Sequence, residues 1–289
     1  MKVTGFSFIR NGLKYDYPIV EAVMSILPIC DEFVIAVGIS DDNTLELIQK
    51  IDPNKIKIIE TVWDDSLREG GRVLAEETNK AFQAIGADTD WCFYIQGDEV
   101  VHEKYHPVIR QAMEKWYNNP NVDGLLFNYL HFYGSYDYVG SSFKWYPKEI
   151  RIIKNNKSIY SYRDAQGFRK GENQKLNVKP IDAYMYHYGW VKDPRAMQLK
   201  QENFNKLWHS DQWVDENVAK AETFDYSNID ALKLFTDTHP VVMQKRIAER
   251  NWKFSHDISV NKLTLKDKFK HLMLTYFNIF IGYKNYKVK

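Results

Sequence analysis

Trp91-Cys92-Phe93-Tyr94-Ile95 runs directly into Gln96-Gly97-Asp98-Glu99. Five large apolar residues in a row, too few for a helix, mark a strand covered on both faces. The polar turn after them, with one glycine and two acids, marks the end of that strand. The same grammar repeats toward the N-terminus. Val3 to Ile9, Phe33 to Val37 and Ile56 to Val62 are β-rich runs. Between them, Ile19, Val20, Val23, Ile26 and Leu27 share one helix face, Thr44 to Ile51 reads as a helix, and Gly71 to Ile85 buries Val73, Leu74, Thr78, Ala81 and Phe82. The order is β-α-β-α-β-α-β. Short connections and right-handed crossovers make this an α/β fold, a mostly parallel sheet flanked by helices.

Beyond residue 100 the pattern loosens. Tyr105 to Trp116 reads as a helix, and Val122 to Tyr133, Glu149 to Ile153 and Ala183 to His187 as strands. From Pro194 the chain reads as mainly helical. One domain is expected over residues 1–200, with halves at 1–100 and 101–200, followed by a helical C-terminal extension over 201–289. The 289 residues carry 39 Lys+Arg against 38 Asp+Glu, so no chain-wide field exists for gripping nucleic acid. Two cysteines exclude a disulfide scaffold and a cysteine zinc cluster. With neither a secretory segment nor a membrane-length apolar run, a cytoplasmic protein is expected.

Open parallel α/β sheets bind ligands at the carboxyl ends of their strands. Four polar segments collect there: Arg10-Asn11-Gly12, Ser40-Asp41-Asp42-Asn43-Thr44, Trp63-Asp64-Asp65 and Gln96-Gly97-Asp98-Glu99. A dinucleotide fold requires G-x-G-x-x-G in the first crossover, and Arg10-Asn11-Gly12-Leu13-Lys14 does not supply it. No P-loop occurs either. A phosphate ligand would need another device, and Mn²⁺ or Mg²⁺ on the acidic rim is the obvious one.

These residues resemble a GT-A glycosyltransferase of family 2. The resemblance is carried by Ile9-Arg10-Asn11, by Ser40 to Thr44, by Asn79, and above all by Asp90 to Glu99, which is similar to the strand-plus-DxD segment. Arg151-Ile152-Ile153 and His187-Tyr188-Gly189-Trp190-Val191 resemble the later strands on the acceptor side. The resemblance covers residues 3 to 200. It departs at Val37-Gly38, where the family places an Asp on the nucleobase, and at Gln96, which leaves Asp98 as the last carboxylate of the DxD.

The resemblance implies an inverting transfer from a nucleotide-sugar donor to a hydroxyl of a glycan or lipid-linked glycan. Arg10, Asn11, Asp42, Trp63, Arg68 and Asp98 are expected at the donor. Asp98 and His187 are expected to hold the metal, with Glu99 as the alternative ligand. Inversion needs a general base on the acceptor side; Asp164 is the first choice and Glu149 the second. Each has a plainer reading: Asp42 as a helix cap, Arg68 as a solvated charge, Asp164 as the ion-pair partner of Arg163. Two other functions remain open, a sugar nucleotidyltransferase and a non-catalytic nucleotide- or carbohydrate-binding protein. The segment Lys262 to Lys289, with seven lysines against Asp267, is either a packed amphipathic helix or a peripheral contact with the inner face of a membrane.

Overall fold

The structure is a computed structural model, and it describes residues 1–67, 69–218, 220–259, 262–277 and 279–289. The N-terminal half contains β1 (Val3–Ile9), α1 (Ile19–Ile26), β2 (Glu32–Gly38), α2 (Thr44–Gln49), β3 (Ile56–Thr61), α3 (Arg72–Gln83), β4 (Trp91–Tyr94), β5 (Glu99–Val101) and α4 (His106–Trp116). Then come β6 (Gly124–Tyr133), β7 (Ser135–Gly140), β8 (Lys148–Lys154), β9 (Ile159–Tyr162), β10 (Gly167–Lys170), β11 (Gln174–Lys175) and β12 (Asn177–Trp190). The remainder is α5 (Pro194–Lys206), α6 (Asp211–Asn217), β13 (Leu232–Leu234), α7 (Gln244–Ala248), α8 (Leu265–Phe277) and β14 (Lys287–Val288).

Strands β3, β2, β1 and β4 lie side by side and parallel. On the far side of β4, β8 runs antiparallel and is followed by β6, which shares the direction of β4 and pairs in parallel with β12. The α/β class expected from the sequence is therefore what the chain adopts. Residues 201–289 are helical only in part, since β13 pairs with β7 and β14 with β12. Strands β9, β10 and β11 form a separate antiparallel sheet.

The continuous apolar runs are explained by burial on both sides. In β2, Phe33, Ile35 and Val37 face one core with Ile19, Val23 and Ile26 of α1, while Val34 and Ala36 face another with Val73, Ala81 and Phe82 of α3. In β4 the same alternation sends Trp91 and Phe93 to the first core, Cys92 and Tyr94 to the second. Phe93 is fully buried, so Phe93→Ala would cost about 3–5 kcal/mol through lost transfer energy and the cavity left behind. Strand order reverses between β1 and β4, because β2 and β3 lie on one side of β1 and β4 on the other. Their carboxyl ends open the crevice where this architecture places a ligand.

Candidate active site

A cavity of about 690 Å³ occupies that crevice. Of the residues expected at a donor, catalytic or metal site, Arg10, Asn11, Trp63, Asp98, Asp164 and His187 all line it. Asp42 does not. Its carboxylate accepts from Lys14 N at 2.7 Å and from Thr44 N at 3.0 Å, which ties the β2–α2 loop to the β1–α1 loop. The neighbouring Asp41 lines the cavity instead, held by Lys14 Nζ at 3.0 Å. Arg68 lies outside the described residues.

The wall near β1 depends on local backbone chemistry. Asn11 has φ 53°, a left-handed conformation that Asn tolerates better than most residues. Its Oδ1 accepts from Asp41 N at 2.7 Å, and its own N donates to Ser40 Oγ at 2.9 Å. Arg10 bonds Asp65 at 3.2 Å and lies over the Trp63 ring at 5.5 Å. Trp63 packs there because residue 38 is glycine: a Cβ would stand 2.4 Å from the indole nitrogen. Gly38 thereby leaves room for an aromatic wall on this side of the cavity.

The turn after β4 is anchored from beneath. Glu99 is fully buried, and Arg151 of β8 grips it with Nε on Oε2 at 2.8 Å and Nη2 on Oε1 at 2.7 Å. Tyr129 OH donates to Oε1 at 2.7 Å and Gln96 N to Oε2 at 3.1 Å. These bonds commit Glu99 to positioning and take it out of contention as a ligand. Arg151 Nη1 also donates to Gln166 O at 2.9 Å. One guanidinium therefore holds both the Asp98 turn and the loop that carries Asp164.

Asp98 and His187 stand next to each other. Antiparallel pairing of β5 with β12 sets His187 opposite Glu99, and Tyr188 N donates to Asp98 O at 2.8 Å. His187 Nε2 stands 3.7 Å from Asp98 Oδ1. Residue 189 must be glycine for this approach, since a Cβ would lie 2.7 Å from the imidazole and 2.8 Å from Asp98 Oδ2. Burial lowers the His187 pKa more than the two neighbouring carboxylates raise it, so the ring is neutral at pH 7. Burial pushes the Asp98 carboxyl up, yet Lys200, His187 and Lys192 together hold it well below the usual carboxylate range.

The dominant member of that trio comes from α5. Lys200 Nζ donates to Asp98 Oδ2 at 3.0 Å and to Gly189 O at 2.9 Å. The residues present do not fit a divalent cation well. Asp98 and His187 are two donors, no group of three His, Cys, Asp or Glu that could hold a metal exists among the described residues, and an ammonium already sits on the carboxylate. A dication about 4 Å from that ammonium would be repelled by about 8 kcal/mol at an effective dielectric of about 20.

Asp164 occupies the turn between β9 and β10. Arg163 and Ala165 on either side have φ 56° and 62°, a conformation that costs a non-glycine residue about 1–3 kcal/mol and collects at functional sites. The hairpin is fixed to α3, where Asn79 Nδ2 donates to Ser161 O at 3.0 Å and Asn79 Oδ1 accepts from Ser161 N at 2.7 Å. Asp164 also lines a second cavity of about 710 Å³, with Tyr146, Tyr162, Trp208 and Tyr283. It is the carboxylate shared by the two cavities, and burial raises its pKa. Glu149 lines only the second cavity, where Gln166 Nε2 donates to its Oε1 at 3.0 Å. Burial lifts its pKa to about 8, so it is largely protonated at neutral pH.

Lys200 and the aromatic second cavity were not foreseen from the sequence. A signal for Lys200 existed: it follows Met197 by three positions and precedes Phe204 by four, on the face that α5 buries. A lysine on a buried helix face calls for a partner.

No family model matches this chain, and no curated protein matches it. Among solved structures it is similar to TarS of S. aureus at 16% identity and TM-score 0.41, over 70% of this chain and 39% of that one. TarS 1–349 in complex with UDP gives 14% identity and TM-score 0.41, over 77% and 68%. Glucosyl-3-phosphoglycerate synthase from Mycobacterium tuberculosis, with Mn²⁺, UDP and phosphoglyceric acid, gives 12% identity and TM-score 0.30, over 45% and 43%. The chain thus spans about two fifths of full TarS.

Proposed function

We propose that this chain is an inverting glycosyltransferase of the GT-A type, moving a sugar from a nucleotide-sugar donor to a hydroxyl of a glycan or lipid-linked glycan. The observation that carries the proposal is the position of Asp164. It joins the cavity at the carboxyl ends of β1 and β4 to the aromatic cavity beside it. The first is the donor's place: Trp63 offers a face to the base, and Arg10 and Asn11 line the way inward. The second suits an acceptor sugar, whose apolar ring face stacks on Tyr or Trp. At the junction, Asp164 takes the proton of the acceptor hydroxyl as its oxygen attacks the anomeric carbon. The bond from that carbon to the diphosphate breaks on the opposite face, and the nucleoside diphosphate leaves with the electron pair. The raised pKa of Asp164 suits a base better than an ordinary surface carboxylate would. Glu149, protonated at neutral pH, is better placed to donate a hydrogen bond to the acceptor.

Lipid linkage of the acceptor is supported by α8. Leu265, Phe269, Leu272 and Tyr276 recur at helical spacing and are all exposed, Leu265 at 85% and Tyr276 at 78%. Lys262, Lys266 and Lys268 are exposed beside them. Apolar side chains rimmed by lysines suit an anionic bilayer surface. Among the described residues, no helix is long and apolar enough to cross a membrane.

Thermal-shift screening with UDP-, GDP-, dTDP- and CMP-sugars tests the donor assignment. A donor at a hundred times its Kd stabilises the protein by about 2.7 kcal/mol, a shift of several degrees. Loss of that shift in Arg10→Ala is expected. No shift with any donor would count against the proposal.

A further inference from the structure

We infer that Lys200 stands where a divalent cation would otherwise bridge Asp98 and the donor's diphosphate, so that transfer at this site proceeds without a metal ion. The inference rests on the glycosyltransferase reading for the identity of the diphosphate, but not for the placement of the lysine.

Three features make Lys200 a built anion site and not a stray surface charge. It is only 8% exposed, yet it lines the first cavity. Two of its three N–H donors are engaged by fixed acceptors, Asp98 Oδ2 at 3.0 Å and Gly189 O at 2.9 Å; among the described residues the third has no acceptor, which leaves it for an oxygen of a ligand. Its ammonium also lies 4.9 Å from the centre of the Tyr17 ring, which lines the same cavity. Lys192, fully buried and 4.8 Å from the same ring, donates to Asp16 O; burial and the charge of Lys200 lower its pKa to about 7, so Lys200 is the cation that carries the charge here. Of the other cavity cations, Arg10 and Lys14 are paired on the rim with Asp65 and Asp41, and Lys206 is exposed at the end of α5.

Chemically, the leaving nucleoside diphosphate gains negative charge as the anomeric C–O bond breaks, and a fixed, buried ammonium stabilises that charge as a metal would. No proton or electron passes through Lys200. The electron pair goes to the departing phosphate oxygen, and the acceptor proton goes to Asp164. Asp98 becomes a positioning residue: it keeps the lysine charged and aimed, and His187 packs against it as a neutral ring.

The test has a metal arm and a nucleotide arm. Mn²⁺ alone is titrated into the protein and followed by the loss of the free-ion paramagnetic resonance signal. Wild type is expected to bind Mn²⁺ only weakly, with Kd above about 1 mM. Lys200→Met, which keeps length and burial but removes the like charge, should gain about tenfold or more in Mn²⁺ affinity by freeing Asp98 and His187. Adding Asp98→Asn should abolish the gain. In the second arm, UDP, GDP, CDP and dTDP are titrated by calorimetry in EDTA and in Mn²⁺. The nucleotide that binds should bind wild type equally in both, and lose about tenfold or more in Lys200→Met in EDTA. Should Lys200→Met fail to fold, Lys200→Arg keeps the cation and should keep EDTA-insensitive binding. Micromolar Mn²⁺ binding by wild type that Asp98→Asn removes, or nucleotide binding that requires Mn²⁺, overturns the inference. If no nucleoside diphosphate binds in either buffer, the glycosyltransferase reading falls, while the Mn²⁺ arm still judges the placement of Lys200.

Discussion

Arg151→Met should unfold this protein more readily than any surface substitution and should misplace both halves of its candidate active site. Arg151 has no exposed surface. It holds Glu99 through two bonds of 2.8 and 2.7 Å, and donates to the carbonyls of Ile150 and Gln166 at 2.9 Å each. Methionine fills much of the space but leaves the Glu99 carboxylate buried with only Tyr129 OH and Gln96 N as donors. Removing one partner of a buried pair costs about 3–5 kcal/mol, because the other charge remains desolvated. In a chain somewhat larger than 150–250 residues, where each kcal/mol moves Tm by about 2–4 °C or less, the expected drop is about 6–20 °C at most. Urea titration of wild type, Arg151→Met, Glu99→Gln and the double variant measures it. The double variant should recover part of the loss, since its neutral amide tolerates burial better than a lone carboxylate. A single-variant loss under about 1 kcal/mol with additive effects would refute the reasoning, because the carboxylate would then have found water or another cation.

Asp164→Asn should fold and bind donor as wild type does but lose about 10²–10⁴ in transfer rate, read as kcat at saturating donor; near-full activity would move the base elsewhere. Trp63→Ala should weaken nucleotide binding by about 1–3 kcal/mol if the base stacks on the indole, and calorimetry with the donor identified above measures it. Glu149→Gln should change the pH profile of stability. The carboxyl ionises near 4.5 when unfolded and at about 8 when folded, so its favourable contribution is complete below pH 4.5 and is lost as pH rises through 8. The variant's Tm relative to wild type should therefore climb from pH 5 to pH 8; a constant difference would contradict the buried, neutral carboxyl.

The N-terminal half of the fold was legible because a strand covered on both faces leaves an uninterrupted apolar run, and Phe33 to Val37 and Trp91 to Ile95 are such runs. The meeting of Asp98 with His187 was anticipated only through family resemblance, and its physical basis lies in the β5–β12 pairing. Other contacts were hidden for definite reasons. Arg151 reaches Glu99 because β8 lies beside β4, and strand neighbours that are not consecutive leave no local pattern. Lys200 bonds a residue 102 positions away, and a helix start at Pro194 says nothing of which strand the helix will cross. The choice of Asp41 over Asp42 turns on the direction of two adjacent side chains in a loop, decided by the bonds Asp42 makes to Lys14 N and Thr44 N. Strands β13 and β14 were missed because edge strands of three and two residues carry too few residues for a period to register.

Whether the two cavities joined at Asp164 carry out sugar transfer from a nucleotide is tested most directly by release of nucleoside diphosphate. Wild type and Asp164→Asn are incubated with UDP-, GDP- and dTDP-sugars, in EDTA and in Mn²⁺, and the diphosphate set free by transfer or by slow hydrolysis is measured. Release from one donor by wild type, in EDTA as well as in Mn²⁺, and its loss in Asp164→Asn, is the predicted result. No release from any donor, or equal release by the two proteins, would contradict the account.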